Sequence, residues 1–536
     1  MKGKLFIAAL ALLAVAACNK PEKNGPTPKD FTGDQYMAVN LKMSGNPATK
    51  AWDATAFADA AEDEIAVSTA QFLFFNGDNQ CADICIPDEE LSFGEPKDPH
   101  TGHTDQTQAD AIIVLKNPTA IPTSIVAILN TDVDLTGKKL SELSAITDFA
   151  PASEGAFVMS NSVYVENGEV IIGTPVTEDN VCASEEAALK APVSIHVERV
   201  LAKVELDATN ATQVEASQPK DSEGNAIVVK IDGFWLDNTN PNANLVKDLS
   251  ADALDGDWWI DAANFRSYWA KSAAADELGH GSLADASADA KYVNENTPAA
   301  ADVKTDADDA ENHAATQIVF ATHLEIAGEA TDVVKYLSVY YTLDNWKTYI
   351  ANTLGKYYLE TQAPDETTTP PTPGIYTRIS ADDLTFTAAT GADVENPNWD
   401  SQSTAYGASQ YIEDWEAVYT VTCKGPVFTA DGKPATFVPK KYKVQLFNEG
   451  KSYFYKPIMH NNDLVDDDNE PVDGYYGIVR NHLYKVKATK IYGLGTPIPD
   501  PDQTIIPVKP VETESYIAAE IEILKYKVVE NEYELN

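Results

Sequence analysis

Apolar and polar residues alternate with a period of two along much of this chain. From Tyr36 to Met43, Met37, Val39, Leu41 and Met43 fall on one face and polar or small residues on the other, which predicts a strand. Ile65 to Phe75, Ile112 to Leu115 and Ser124 to Leu129 read as further short strands. Val193 to Leu206 reads as one long alternating strand, and Ile227 to Leu236 as another. Leu140 to Phe149 has the spacing of a short helix. Aromatic-rich strands follow at Val333 to Thr342, Leu384 to Ala388, Ala417 to Cys423, Tyr442 to Phe447, Tyr453 to Ile458 and Asn481 to Tyr492. Short strands at regular spacing with few helical periods predict an all-β protein of sandwiches.

The breaks between these runs divide the chain. Asn19 to Gly33 is polar, with Pro21, Pro26 and Pro28, and reads as a flexible tether. Ser44 to Lys50 is a loop. Strands then fill two domains, expected at 51–250 and 251–495. Ala284 to Ala315, rich in Ala, Asp and Asn, predicts a long acidic surface loop, and Thr367 to Pro373 a second loop. Thr496 to Ser515 carries five prolines and predicts a stiff spacer that would reach roughly 60 Å. Beyond it, Tyr516 to Tyr526 alternates again, with Ile517, Ala519, Ile521 and Ile523 on one face and Glu520 and Glu522 on the other.

Two strands thus stand at the ends of the chain, each beside a polar or proline-rich segment. A lone strand with an apolar face and unpaired backbone groups is unstable in water and must join a sheet. Two readings remain open on the pattern alone. Both segments are ordinary strands of their own domains, or the first strand fills a groove that is vacated by cutting the following loop and refilled by the last strand of a neighbouring copy. The second arrangement is head-to-tail and gives a filament.

The first 18 residues change the picture. Met1 to Lys4 is basic, Leu5 to Val15 is apolar and too short to span a bilayer, and Val15-Ala16-Ala17-Cys18 places small residues before a cysteine. This is the pattern of a bacterial lipoprotein signal, with Cys18 as the lipidated residue of an exported precursor. The net charge of −44 disfavours nucleic acid and anionic lipid as partners. Export permits disulfides among Cys81, Cys85, Cys182 and Cys423, with Cys81 and Cys85 close enough in sequence to pair across a loop.

Candidate chemistry is sparse. There is no G-x-S-x-G, no Cys/His signature and no phosphate loop, so no catalytic residue and no cofactor is assigned. His100 and His103 beside Asp98 and Asp105 read as a solvated loop rather than a metal site. Asp466 to Glu470 lacks the glycine and distal glutamate of a calcium loop, so no metal is expected. Asp306, Asp308 and Asp309 read as acidic loop, and His196 and His323 as core or sheet-face residues. Tyr453-Phe454-Tyr455 reads as sheet packing before glycan contact.

The chain resembles the fimbrillins, the shaft subunits of type V pili in the Bacteroidales, and most of all their minor-fimbrium branch. The resemblance lies in the lipoprotein signal and tether, in Arg199-Val200-Leu201-Ala202-Lys203-Val204, in Tyr476 to Val486 followed by Ile491-Tyr492-Gly493-Leu494-Gly495, and in the proline-rich linker and closing strand with Tyr526. It implies two transthyretin-like β-sandwiches in tandem (51–250 and 251–495), then a proline-rich linker and C-terminal donor strand (496–536), the strand bearing Ile517, Ala519, Ile521, Ile523 and Tyr526. It implies a lipidated outer-membrane precursor, removal of the strand bearing Met37, Val39, Leu41 and Met43, and polymerisation by donor-strand exchange into a cell-surface fimbrium that contributes to adhesion. The partners implied are copies of the same chain, anchor and tip subunits, and a trypsin-like processing protease. The family's cleavage position corresponds to Lys50-Ala51. The first arginine of the chain is Arg199, so the protease must accept lysine. The alternatives are an anchor or tip subunit, a surface lipoprotein that binds glycans and, least, an exported hydrolase.

Overall fold

The computed structural model describes residues 33–42, 64, 66–87, 92–93, 108–116, 121–153, 156–166, 169–249, 269–303, 314–399, 409–461, 464–505, 507, 516–525 and 527–529. The chain is all-β, with two sandwiches in tandem.

Eight strands build the path of the first sheet system: β1 (Gln35–Lys42), β2 (Thr69–Asn76), β3 (Asn79–Pro87), β4 (Ser92–Phe93), β5 (Gln108–Leu115), β6 (Ser124–Leu129), β7 (Met159–Asn161) and β8 (Val193–Arg199). Their order is β3-β2-β6-β7-β8-β1-β5-β4, with Thr174–Pro175 added to β6. The sheet folds over at β8. Residues 193–196 pair with β1, and residues 197–199 pair with β7. One core therefore lies between β1, β5 and β8 on one side and β2 and β6 on the other, with Met37, Val39, Leu41, Ile113 and Ile195 packed on Phe72, Phe74, Ile125 and Ala127. Residues 140–145, expected to be helical, form a short 3-10 helix.

The long strand expected from Val193 to Leu206 is two strands. The chain leaves the first sandwich at the buried Val200 and enters the second as β9 (Leu201–Asp207). Asn481 clamps this crossing. Its side-chain Oδ1 accepts from Arg199 N at 3.3 Å, and its own N donates to Leu201 O at 3.0 Å. The chain thus passes from the first sheet system to the second at Val200, while Leu245, Val246 and Leu249 pack with Leu73, Phe75 and Val126.

The second sandwich pairs β9 with β11 (Lys291–Asn294) on one side and β19 (His482–Tyr492) on the other. The facing sheet contains β10 (Ile227–Asp237), β12 (Gln317–Ile326) and β18 (Lys451–Pro457). Val204, Tyr484 and Val486 pack on Phe234, Ile318, Phe320 and Phe454 between the two sheets. The strand β11 lies within the segment expected to be a loop, because Lys291 to Asn294 adds to the free edge of β9.

Between β12 and β18 the chain makes an excursion with its own core. It forms the five-stranded sheet β14-β13-β17-β16-β15, from β13 (Val333–Tyr336), β14 (Val339–Thr342), β15 (Leu384–Ala389), β16 (Glu416–Cys423) and β17 (Lys440–Phe447). A helix of eleven residues, Leu343–Thr353, packs on it. Thr342 caps its start, accepting from Asn345 N at 3.3 Å. Trp346 is fully buried, with ring centroids 5.0 Å from Tyr419 and 5.8 Å from Phe386. Trp346→Ala is expected to destabilise this layer by about 3–5 kcal/mol, read by denaturant unfolding of the whole chain. A loss under about 1 kcal/mol would mean that the cavity collapses freely.

Candidate assembly site

The slot of the first strand begins with its sequence. Gln35 to Lys42 pairs antiparallel with Leu115 to Gln108 over its whole length, and Val39 to Lys42 pairs parallel with Val193 to His196. Tyr36 exchanges backbone bonds with Cys182, at 2.8 and 2.9 Å. The strand thus has neighbours on both sides. Met37 and Leu41 are 0% exposed and Val39 1%. The opposite face is also closed at one point. Ala38 is only 3% exposed, and the short helix Glu185–Ala188 packs against β1. Among the predicted residues of this strand, Met43 lies outside the described residues, as do Cys18, Lys50 and Ala51.

Glu64 is described by itself, between residues that lie outside the described ones. Its carboxylate meets Arg199 at 3.4 Å and Lys203 at 3.1 Å, and accepts from the Tyr292 hydroxyl at 2.5 Å. Arg199 is 6% exposed, at the end of β8. A protease cannot reach that peptide bond without unravelling a strand.

The C-terminal strand β20 (Tyr516–Lys525) does not project away from the body. It pairs antiparallel with β19, Tyr516 opposite Tyr492 and Lys525 opposite His482. Glu520 and Glu522 stand opposite Lys487 and Lys485, a register that favours opposite charges across the ladder. On its other side only Ile523 to Lys525 are paired, with β21 (Lys527–Val529). Tyr516 to Glu522 therefore form an outer edge among the described residues. The physical reason for the docking is general: an edge strand takes the nearest ladder available. Tyr526 lies outside the described residues.

The proline-rich segment begins packed rather than free. Thr496–Pro497 pairs with β18, Ile498 N donates to Lys451 O at 3.0 Å, and Ile498 and Ile505 are buried. Two isoleucines outweigh the prolines here, because burying each contributes about 1.5–3 kcal/mol.

Sequence reasoning missed what holds the segment from Tyr476 to Tyr492. Arg480 is fully buried, with its Nε 3.1 Å from Glu295 Oε2 and its Nη2 donating to Asn244 O at 2.9 Å. A second buried pair joins Lys247 and Glu198 at 3.2 Å. The Tyr484 hydroxyl accepts from Val479 N at 2.8 Å, and burial raises its pKa well above the ordinary phenol value. Gly477 has φ +138 and a Cβ there would meet Asn296 O at 2.7 Å, so no side chain fits. Long-range partners such as Glu295 leave no local sequence signal. Arg480→Met would leave the Glu295 carboxylate buried without its partner. A loss of about 3–5 kcal/mol is expected in chemical denaturation, and a variant as stable as the parent would overturn this account of the pair.

The other constellations resolve simply. Cys81, Cys182 and Cys423 are free thiols, and Cys81 and Cys85 lie four residues apart in one strand, about 13 Å, beyond disulfide reach. Tyr453 and Phe454 are 4% and 2% exposed, in the core and not on a sugar-binding face. Asp466 accepts from Asp468 N and Glu470 N, the bonds of a surface turn. His323 lies on a sheet face, 2.6 Å from Asp232. His100, His103, Asp98, Asp105, Asp306, Asp308 and Asp309 lie outside the described residues.

Residues 445–532 match the family model described as major fimbrial subunit protein type IV, fimbrillin, C-terminal. The match takes in β18, β19 and β20, so it covers the stretch that carries the resemblance most specifically. Over residues 445–532 the chain is thus similar to the fimbrillins. No curated protein matches the sequence. Solved structures with a similar arrangement include a candidate cell adhesion protein from Parabacteroides distasonis (14% identity, TM-score 0.39, covering 91% of this chain and 96% of that one). The tip fimbrial protein Mfa3 from Porphyromonas gingivalis (12%, TM-score 0.32, 92% and 99%) is another. A fimbrilin from Porphyromonas gingivalis (12%, TM-score 0.30, 90% and 96%) is a third. Likeness at this level says nothing of the site.

Proposed function

We propose that this chain is a shaft subunit of a cell-surface fimbrium, exported as a lipoprotein precursor with lipid on Cys18 and polymerised by donor-strand exchange. Cleavage between Lys50 and Ala51 frees β1 and opens its slot. The C-terminal strand of a second copy leaves its own β19 and fills the slot, with Ile517, Ala519, Ile521 and Ile523 facing the core and Tyr526 beyond them. The observation that carries this reading is the position of β1. It is an N-terminal strand hydrogen-bonded on both sides, with Met37, Val39 and Leu41 completing a core that the rest of the domain cannot close.

Charge and chemistry fit the same scheme. The buried Arg199 argues for a trypsin-like protease that accepts lysine. The docked state of β20 occupies, in the unprocessed chain, the strand that a neighbour would receive. The anchor and tip subunits are partners of the same chemistry, each offering a slot or a strand. Adhesion is then a property of the assembled fibre.

Limited trypsin digestion of the purified precursor tests the reading. A new N-terminus at Ala51 in mass spectra and fibres in electron micrographs are the expected result. Lys50→Gln is expected to remove that cut and, with it, the fibres, while leaving the fold intact. Fibres of undiminished yield from uncut Lys50→Gln protein would sink the processing step.

A further inference from the structure

The slot of β1 dictates not only that a strand enters but which residue of that strand goes where. Resting on the strand-exchange reading, we infer that β20 of one copy replaces β1 of another in a single register, running in the same direction, with Ala518 in the place of Ala38. Ile517, Ala519 and Ile521 then take the places of Met37, Val39 and Leu41, and Tyr516 that of Tyr36, with Ile523 two positions beyond Ile521.

Space and charge in the slot select the register. The slot closes on both faces at Ala38, which is 3% exposed with Met37 and Val39 beside it at 0% and 1%. Only a small residue fits there. The positions of β20 that fall on the face opposite Ile517, Ala519, Ile521 and Ile523 are Tyr516, Ala518, Glu520, Glu522 and Leu524. A shift of two residues in one direction puts Glu520 into the Ala38 site and buries a carboxylate. The opposite shift puts Tyr516 there, far too large for the space. Running the strand the other way with Ala518 at Ala38 brings Ser515 to the site of Leu41, which is 0% exposed. One register remains. It exchanges Leu41 for Ile521 at nearly equal volume and leaves the site of Val39 under-filled by Ala519.

The register predicts neighbours. Asn40 stands opposite Asp110 in β5, so Glu520 of the incoming strand takes the position opposite Asp110. In the unprocessed chain the same Glu520 stands opposite Lys487. Opposed residues of an antiparallel pair have Cα atoms about 4.5–5.5 Å apart, within disulfide range.

The test uses the full-length precursor with Cys81, Cys85, Cys182 and Cys423 replaced by serine. Asp110→Cys is combined in turn with Ala518→Cys, Glu520→Cys and Glu522→Cys, each protein is processed by trypsin, and the product is oxidised. An intermolecular ladder on denaturing gels from the 110–520 pair, at least tenfold stronger than from the other two, is the expected result. A ladder from the 110–518 or 110–522 pair overturns the register and leaves strand exchange standing. Failure of all three processed proteins to assemble, with Lys487→Cys/Glu520→Cys still cross-linking within the unprocessed monomer, overturns strand exchange itself; fibres with no ladder from any pair overturn the register. Two further substitutions separate packing from chemistry. Ala518→Leu is expected to lower fibre yield more than tenfold, and Ala519→Val to slow the dissociation of fibres. Equal fibre yield from Ala518→Leu and the parent would refute the placement at Ala38.

Discussion

A chain that begins at Ala51 is expected to assemble into fibres with no protease present. Met37, Val39 and Leu41 leave water almost completely in the first sandwich, at 0%, 1% and 0% exposure. Their burial contributes about 5–9 kcal/mol at about 1.5–3 kcal/mol for each side chain. Whole domains are stable by only about 5–15 kcal/mol, so a first sandwich without β1 sits near the edge of unfolding. Its slot also exposes two ladders, those of Leu115 to Gln108 and Val193 to His196. Such a domain must find a guest strand. Size-exclusion chromatography and electron microscopy of the shortened chain check this. A monomer that persists at high concentration, with a melting temperature within a few degrees of the precursor, would show that β1 is dispensable to the fold.

The legibility of these features in the sequence follows the range of the interactions behind them. The period of β1 was readable because its core face is three alternate residues, Met37, Val39 and Leu41, with no interruption. The break at Val200 was readable too, though the eye passes over it. Inward residues are odd-numbered at Val193, Ile195 and Val197, then even-numbered at Val200, Ala202 and Val204, and a change of parity marks a strand that changes sheets. The helix Leu343–Thr353 carried a cap at Thr342 and apolar residues at Leu343, Trp346 and Ile350, masked by the strand-like run before it. By contrast, Glu295 meeting Arg480 across 185 positions has no local trace.

The docked C-terminal strand is the case where local pattern and surroundings compete. Alternation alone calls for a sheet and does not say whose. Within one chain β19 offers a free edge next to β9, and Lys485 and Lys487 stand opposite Glu522 and Glu520. Cross-strand pairs of opposite charge contribute about 0.2–1 kcal/mol each. On the strand-exchange reading, this resting position is one that β20 must leave before it can enter a neighbour. Salt screens such pairs, so processed protein is expected to assemble faster at high ionic strength than at low.

Removing residues 516–536 is expected to abolish fibres while leaving a folded precursor. β20 lies next to the edge of its sheet, with only the short β21 outside it among the described residues, and Tyr484, Val486, Phe320 and Phe454 of the second core belong to other strands. The precursor should keep its far-ultraviolet β signal. After processing it has a slot and no strand to give. Such a molecule accepts one neighbour and offers nothing to the next, so it stops growth at one end. Mixed at one part in ten with full-length protein, it should cut the mean fibre to about ten subunits. Ile521→Asp makes the same point without deletion. In the register derived above it carries a charge into the site of Leu41, at a cost of several kcal/mol. Fibre lengths in electron micrographs measure both effects. Full-length fibres from the truncated chain alone would mean that some other segment joins the subunits, and the vacancy left by β1 would then need another guest.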